Sequence, residues 1–254
     1  MRVLVCVKRV PAVAGRITLT EDERAIDTKY VGFSVGPHEE CAVEEAVRLV
    51  EANGGAAVVL TLGPAEALEQ LRDAMAIGAA RAIHLVTDGE DWDAESTAGA
   101  IVDAIREDEA ANGPFDLVLL GNEAADSGGY QVAVRIGRAL GRPVVTGIKG
   151  LAVADGTARC EQEVADGRDV YEVRTPAVVA VLEGINLPRY PSVPGRIRAK
   201  SRPVAASNLV RPAQRLELIR LVVPESAAKQ ATVLGHGPDA AAAVVEMLQG
   251  AGVL

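Results

Sequence analysis

Aromatic side chains are scarce, at 3% of 254 residues: two Phe, four Tyr and one Trp. So few rings leave no base-stacking surface for single-stranded nucleic acid and little with which to grip a flavin. Cysteine is as rare. Cys6, Cys41 and Cys160 are odd in number and far apart, which fits free thiols in a reducing interior and gives no zinc spacing. His38, His84 and His236 are equally scattered, so neither metal catalysis nor a Ser-His-Asp arrangement finds support. Positive charge is in deficit. A formal net charge of −9 argues against nucleic-acid binding, whose affinity rests on neutralising phosphates with Lys and Arg. Long apolar runs are missing as well: residues 3 to 7 are too few for an export signal, and Lys8 and Arg9 follow at once. The expectation is a cytoplasmic protein with no direct membrane insertion.

What the chain does have is 49% hydrophobic content, enough for a large core. The stretch that organises it runs from 116 to 143, DLVLLGNEAADSGGYQVAVRIGRALGRP. Residues 117 to 120 form a continuous apolar run, as expected of a parallel strand buried on both faces. Gly121, Gly128 and Gly129 let the backbone turn and approach a ligand, while Asn122, Asp126 and Ser127 are suited to bonding neighbouring amides. Val132, Ile136 and Leu140 then fall on one face of a helix stopped by Gly141 and Pro143. Free amides and a positive dipole end should therefore point outward at about residues 127 to 132, where an α/β domain holds a phosphate. Such a loop also serves as a plain tight connection. It matches neither a P-loop nor GxGxxG, and Asp126 would repel phosphate unless it caps amides or bonds a ribose.

Strands are expected at 2–7, 56–62, 82–86 and 116–120, and helices at 37–53, 64–78 and 94–112. Residues 16–35 suggest two short extended pieces, a hairpin over the sheet edge. The alternation makes βαβ units with right-handed crossovers. A ligand should lie outside the carboxyl ends of the strands, near Cys6, Leu62 and Gly121 together. From 145 onward three antiparallel strands are expected, at 147–153, 157–163 and 170–181, joined by turns at 154–156 and 165–167. Residues 183–200, EGINLPRYPSVPGRIRAK, should be held extended by Pro188, Pro191 and Pro194. Ile185, Leu187 and Tyr190 are apolar groups that an exposed loop has no folding reason to carry, unless they pack back on the domain. Residues 201–254 hold too few large apolar groups for a core and should drape over the domain or a partner, with a small helix at 238–248.

Several segments together resemble the β subunit of the electron transfer flavoprotein family: VLVCVKRV (3–10), CAVEEAVRL (41–49), GPAEALEQLRDAMAIGAARAIHL (63–85), DLVLLGNEAADSGGYQV (116–132), EQEVADGRDVYEVRTPAVVAV (161–181) and NLPRYPSVPGRIRAK (186–200). The last two are the most specific. The resemblance covers nearly the whole chain and implies an α/β fold, Rossmann-like and doubly wound, of the adenine nucleotide alpha hydrolase type. Antiparallel additions extend this mostly parallel sheet; residues 1–200 form the nucleotide-binding domain and 201–254 an extended arm on the partner. It also implies a non-catalytic subunit. In the family an α subunit carries the redox FAD, and the heterodimer takes electrons from acyl-CoA and related dehydrogenases to a membrane quinone oxidoreductase. The β subunit buries AMP as a structural nucleotide.

Carried over, the AMP contacts are Cys6; Gly36, Pro37, His38 and Glu39; Leu62; and Gly121, Asn122, Glu123, Ala124, Ala125, Asp126, Ser127, Gly128, Gly129, Tyr130, Gln131 and Val132. The amides of 129–132 and the Gln131 side chain are assigned to the phosphate, and Asp126 to capping the loop. The docking segment is Ile185, Asn186, Leu187, Pro188, Arg189 and Tyr190, with Ile185 at the anchor position and Leu187 the near alternative. The chain departs from the family at Gly36, where Asn is common, at Pro11, Ala12 and Val13, where an aromatic or Pro-Asp-Thr is frequent, and at Tyr130 and Val132. Two further functions stay open: a β subunit of an electron-bifurcating complex with a second FAD in place of AMP, and a stand-alone ATP-binding or ATP-hydrolysing protein. The missing Asp-Thr weighs against the first, and KRVPAVAG in place of an SGGxD-like loop against the second.

Overall fold

The sheet is built outward from RVLVC, five residues with apolar groups on both faces, which only a strand covered on both sides can bury. A computed structural model describes residues 1–12, 17–223 and 232–254, and in it this run is β1 (Arg2–Cys6), with Val3, Leu4 and Val5 fully buried. After it come a two-stranded antiparallel ribbon, β2 (Arg9–Pro11) with β3 (Phe33–Val35), and then α1 (Pro37–Asn53), β4 (Ala56–Gly63), α2 (Leu68–Ile77), β5 (Arg81–Val86), α3 (Ala94–Asn112), β6 (Leu117–Gly121) and α4 (Gln131–Leu140). The remainder is β7 (Val144–Ala154), β8 (Thr157–Val164), β9 (Gly167–Arg174), β10 (Ala177–Val181), α5 (Val193–Ser201), β11 (Val204–Asn208) and α6 (Ala241–Gly250). The nine-stranded sheet has the order β11-β5-β4-β1-β6-β10-β7-β8-β9. Every pairing from β11 to β7 is parallel, and β7-β8-β9 is antiparallel. The fold is the Rossmann-like, doubly wound α/β class expected.

Alternation along the strands divides the core in two. Val3, Val5, Leu117, Leu119 and Val179 pack with Cys41, Leu71 and Met75 of α1 and α2 on one face. Leu4, Val58, Val118, Leu120 and Val178 pack with Ile101, Ile105 and Ile136 of α3 and α4 on the other. From β1 the chain winds to β4 and β5 on one side, then returns to β6 on the other. The topological switch therefore lies between β1 and β6, where Cys6 stands in register with Leu60 and Leu120.

Four expectations change. Residues 9–11, beyond the strand expected at 2–7, form a strand of their own that pairs with 33–35; Val13 and its neighbours to residue 16 lie outside the described residues. The single strand expected at 170–181 is two, because Pro176 lacks the N–H a ladder needs: β9 stays at the sheet's edge and β10 returns to its middle between β6 and β7. Residues 193–201 are helical, since Ser192 accepts a bond from the Gly195 amide at 3.1 Å and Pro194 sits in the first turn, where its missing N–H costs nothing. Residues 204–208, expected in the arm, join the sheet as β11, and the chain goes on from Leu209. It runs back along the domain, where Gln214 accepts a bond from the Asp93 amide at 2.5 Å and the Arg215 amide donates to Asp93 at 2.9 Å.

Candidate functional site

Three segments meet at the switch point. Gly36 enters α1 without a side-chain cap, and the first turn of α1 lies against the loop that follows β6. Glu39 fills the gap between them. Its side chain is only 5% exposed, and a Cβ added at Gly121 would come within 2.8 Å of its carboxyl carbon, while one at Gly36 would overlap Oε2. The two glycines are thus what give this carboxyl room. Burial pushes it up to about 7, with Asp126 raising it further and Lys8 opposing. Oε2 is buried with no hydrogen-bond partner.

The loop from 121 to 130 is folded on itself. The Asn122 amide donates to the Val181 carbonyl at 2.9 Å, the Gly128 amide to Ala124 at 2.8 Å and the Ala124 amide to Gly129 at 3.2 Å, with Gly128 at φ +60. Glycine suits that last conformation, which other residues adopt at a cost. Gly129, Tyr130 and Gln131 then lead into α4, whose first turn has no side-chain cap and no acidic residue. Its orphan amides and positive dipole end are available to an anion. Two assignments shift here. Asp126, expected to cap loop amides, holds Lys8 at 2.6 Å instead, which masks the charge that would repel phosphate. The Gln131 oxygen accepts from Arg135 at 3.1 and 2.9 Å, which leaves its amide hydrogens for other partners. Ser127, Gly128, Gly129 and Tyr130 are exposed, while Asn122, Glu123, Ala124 and Val132 are half-buried.

Cys6 is buried, and burial pushes its thiol up to about 12, so it is an inert wall rather than a nucleophile. Leu62 lines the neighbouring strand end, half-buried. Pro37 and Ala125 open the other way, onto an apolar cavity of about 550 Å³ whose walls also include Val10, Pro11, Ala12, Ile17, Ile26 and Val35. No local pattern signals this cavity, because it depends on the β2-β3 ribbon bringing distant residues together.

His38 joins the site to the docking segment. Its Nδ1 accepts from the Glu183 amide at 2.7 Å, and Nε2 lies 3.4 Å from Glu123. From there α1 is stitched along residues 183–189. Asn186 donates to the Cys41 carbonyl at 3.0 Å and to Glu45 at 2.9 Å. Arg189 forks onto Glu44 at 2.9 and 3.0 Å and onto Glu51 at 2.8 and 2.9 Å. Glu44 is 1% exposed, yet its carboxyl is held below the usual range, because bonds from Arg189 and Arg48 outweigh its desolvation. Sequence reasoning missed this clamp, although three acids at 44, 45 and 51 and a basic loop at 189 were a readable signal. The clamp leaves Leu187 84% and Tyr190 96% exposed, with Pro188 half-buried. Ile185, by contrast, packs against the core on the α1 face, so the outward apolar groups here are Leu187, Tyr190 and Val193.

Comparison with known proteins fits this arrangement. A family model described as "Electron transfer flavoprotein domain" matches residues 24–211. The chain is 34% identical over 229 residues to an electron transfer flavoprotein subunit beta of Syntrophomonas wolfei, covering 90% of this chain and 88% of that one. It is 33% identical over 192 residues to that of Bacillus subtilis, 73% of each. It is also 33% identical to that of Bradyrhizobium diazoefficiens, over the full length of both. The chain belongs to the electron transfer flavoprotein family. Its membership rests on the beta subunits, and the matched residues span α1, the loop after β6, the clamp and β11. Among the described residues no helix is long and apolar enough to cross a membrane.

Proposed function

We propose that this chain is the β subunit of an electron transfer flavoprotein heterodimer, holding AMP as a structural nucleotide at the β1/β6 switch and doing no chemistry of its own. One observation carries the reading: a glycine-rich loop delivers uncapped, acid-free helix amides beside a buried carboxyl, one oxygen of which has no partner, at a parallel sheet's carboxyl edge. An anion with a polar, uncharged neighbour fits both features, and a mononucleotide supplies both. The residues expected to hold it are the amides of 129–132 for phosphate, with Glu39, Gly36, Gly121 and the walls Cys6 and Leu62 around the rest.

The redox group belongs to an α subunit carrying FAD. This chain contributes shape, a docking surface and the cavity beside Gly36. Acyl-CoA-type dehydrogenases dock on residues 185–193, and electrons pass onward to a quinone oxidoreductase. Leu187, Tyr190 and Val193 take the anchoring role because they are the outward apolar groups, whereas Ile185 supports the loop from beneath. One buried aliphatic anchor contributes about 1.5–3 kcal/mol, enough for a short-lived complex. The test is electron transfer from a purified acyl-CoA dehydrogenase to the co-purified heterodimer. Flavin reduction that needs both subunits, and no turnover of acyl-CoA, NADH or ATP by the heterodimer alone, is the expected result; ATP hydrolysis by this chain alone would overturn the reading.

A further inference from the structure

We infer that His38 is a pH-sensitive latch on the docking segment: its neutral ring holds the Glu183 amide and its protonated ring releases it, so docking on residues 185–193 weakens in acid. The inference rests on the docking reading above and adds to it the residue that positions the start of that segment.

The hydrogen positions follow from the partners. A backbone amide only donates, so the Glu183 N–H, 2.7 Å from Nδ1, meets a ring nitrogen that carries no hydrogen. The neutral ring's one hydrogen then sits on Nε2, 3.4 Å from Glu123. Glu123 is suited to receive it, because the Tyr130 hydroxyl, more than His38 itself, holds its carboxyl below the usual range. Imidazole is the side chain whose charge changes between about pH 5 and 8. An added proton has only Nδ1 to go to, and there two N–H groups would face each other in place of a bond.

The surroundings decide what moves. Glu39 and Glu40 adjoin His38 on α1, both pushed up by burial. Glu123 and Tyr130 face it from the loop after β6, and Glu183 belongs to the docking segment itself. Lys149 of β7 lies beside Gly184 but is paired with Glu163 at 3.1 Å. A cationic ring is therefore drawn to the carboxylates of Glu123 and Glu183 and away from the amide. The Leu182 amide stays on the Ile148 carbonyl at 2.9 Å, and Asn186 and Arg189 stay on α1. What comes free is the stretch 183–185, with Gly184 at φ +89 in its middle. Ile185 supports the outward Leu187 from beneath, so its release loosens the docking face while the domain stays folded.

The test uses the intact heterodimer as wild type, as His38→Asn, whose side-chain oxygen stands in for Nδ1 without titrating, and as His38→Phe, which has no acceptor. Bound flavin in each reports that the heterodimer is intact. Two readouts are taken at about pH 8 and about pH 5.5: hydrogen exchange over residues 182–187, and KM against kcat for reduction by an acyl-CoA dehydrogenase. Comparing the three chains at one pH cancels the titrations they share, those of Glu39, Glu40 and the dehydrogenase included. At the higher pH the wild type and His38→Asn should agree, while His38→Phe exchanges about threefold faster or more, with KM raised by a similar factor and kcat unchanged. At the lower pH the wild type should join His38→Phe, and His38→Asn should keep its protection and its lower KM. A wild type as well protected relative to His38→Phe at the lower pH as at the higher would overturn the inference, whatever the Asn variant does. Equal exchange in all three at the higher pH would overturn it too. If exchange follows the expected pattern and KM does not, the latch stands and the docking reading of 185–193 falls.

Discussion

The middle of the sheet and the chain beyond Asn208 are both rich in Val, Leu and Ala, yet they end in opposite states. In β10 all five residues of AVVAV are fully buried. Beyond Ala199 no described residue is buried, and Val210, Ile219, Val222 and Val233 are 92%, 78%, 68% and 72% exposed. The sheet satisfies its apolar groups with its own two helix layers. The arm has no such layer: past Leu209, which packs on the α3 and α4 face, it is tied to the domain by polar bonds such as those of Gln214 and Arg215 with Asp93. Composition does not separate these regions; the company each keeps does. An apolar arm of this kind implies a second surface, and the α subunit is the one proposed for it.

The largest effect that sharpens the contrast is in the core. Leu119→Ala, at a fully buried position, should cost about 2–5 kcal/mol and lower the heterodimer's urea midpoint. Val222→Ala should leave that core transition in place and instead weaken subunit association, read by sedimentation. Equal effects of the two on the urea midpoint would break the comparison. Ending the chain after Asn208 should abolish co-purification with the α subunit while circular dichroism still reports the folded sheet. An α subunit retained at full strength would place the interface elsewhere.

The carboxyl of Glu39 gives a pH-dependent effect of intermediate size. The folded chain keeps this proton up to about pH 7, whereas the unfolded chain releases it near 4.5. Between those values the unfolded state binds fewer protons, so stability falls as pH rises through the window and levels off above it. In the nucleotide-free heterodimer, Glu39→Gln should therefore match the wild type near pH 4.5 and be more stable by up to about 3 kcal/mol above pH 7. A constant difference across that range would contradict the desolvation of this carboxyl. Smallest in stability but not in function is the docking pair. Leu187→Ala should change stability by less than about 0.5 kcal/mol and slow dehydrogenase-linked reduction. Ile185→Ala should lose about 1–3 kcal/mol of stability by opening space against the core. The reverse pattern would return the anchor to Ile185.

How much of this was readable in the chain follows the same division. Where a segment buries its own apolar pattern, its limits were legible: α1 and α3 run over Pro37–Asn53 and Ala94–Asn112, as the spacing implies. Where long-range pairing decides, they were not. β11 is a strand only because β5 offers it an edge, and β2 pairs across more than twenty residues with β3. At the site, the glycine loop and the strand ends announced themselves. Lys8 against Asp126, Arg189 across Glu44 and Glu51, and the inward turn of Ile185 did not, because each depends on which side chains the fold brings face to face. The proline-rich segment misled in a specific way: Pro194 marks a helix start there, and Ser192 supplies its cap.

The most direct test of the central claim is the stoichiometry of small molecules released when the purified heterodimer is denatured. The account predicts one FAD and one AMP for each pair of chains. Two flavins with no AMP would make the complex the two-flavin kind, and one flavin with no nucleotide of any sort would contradict the claim that this chain holds one.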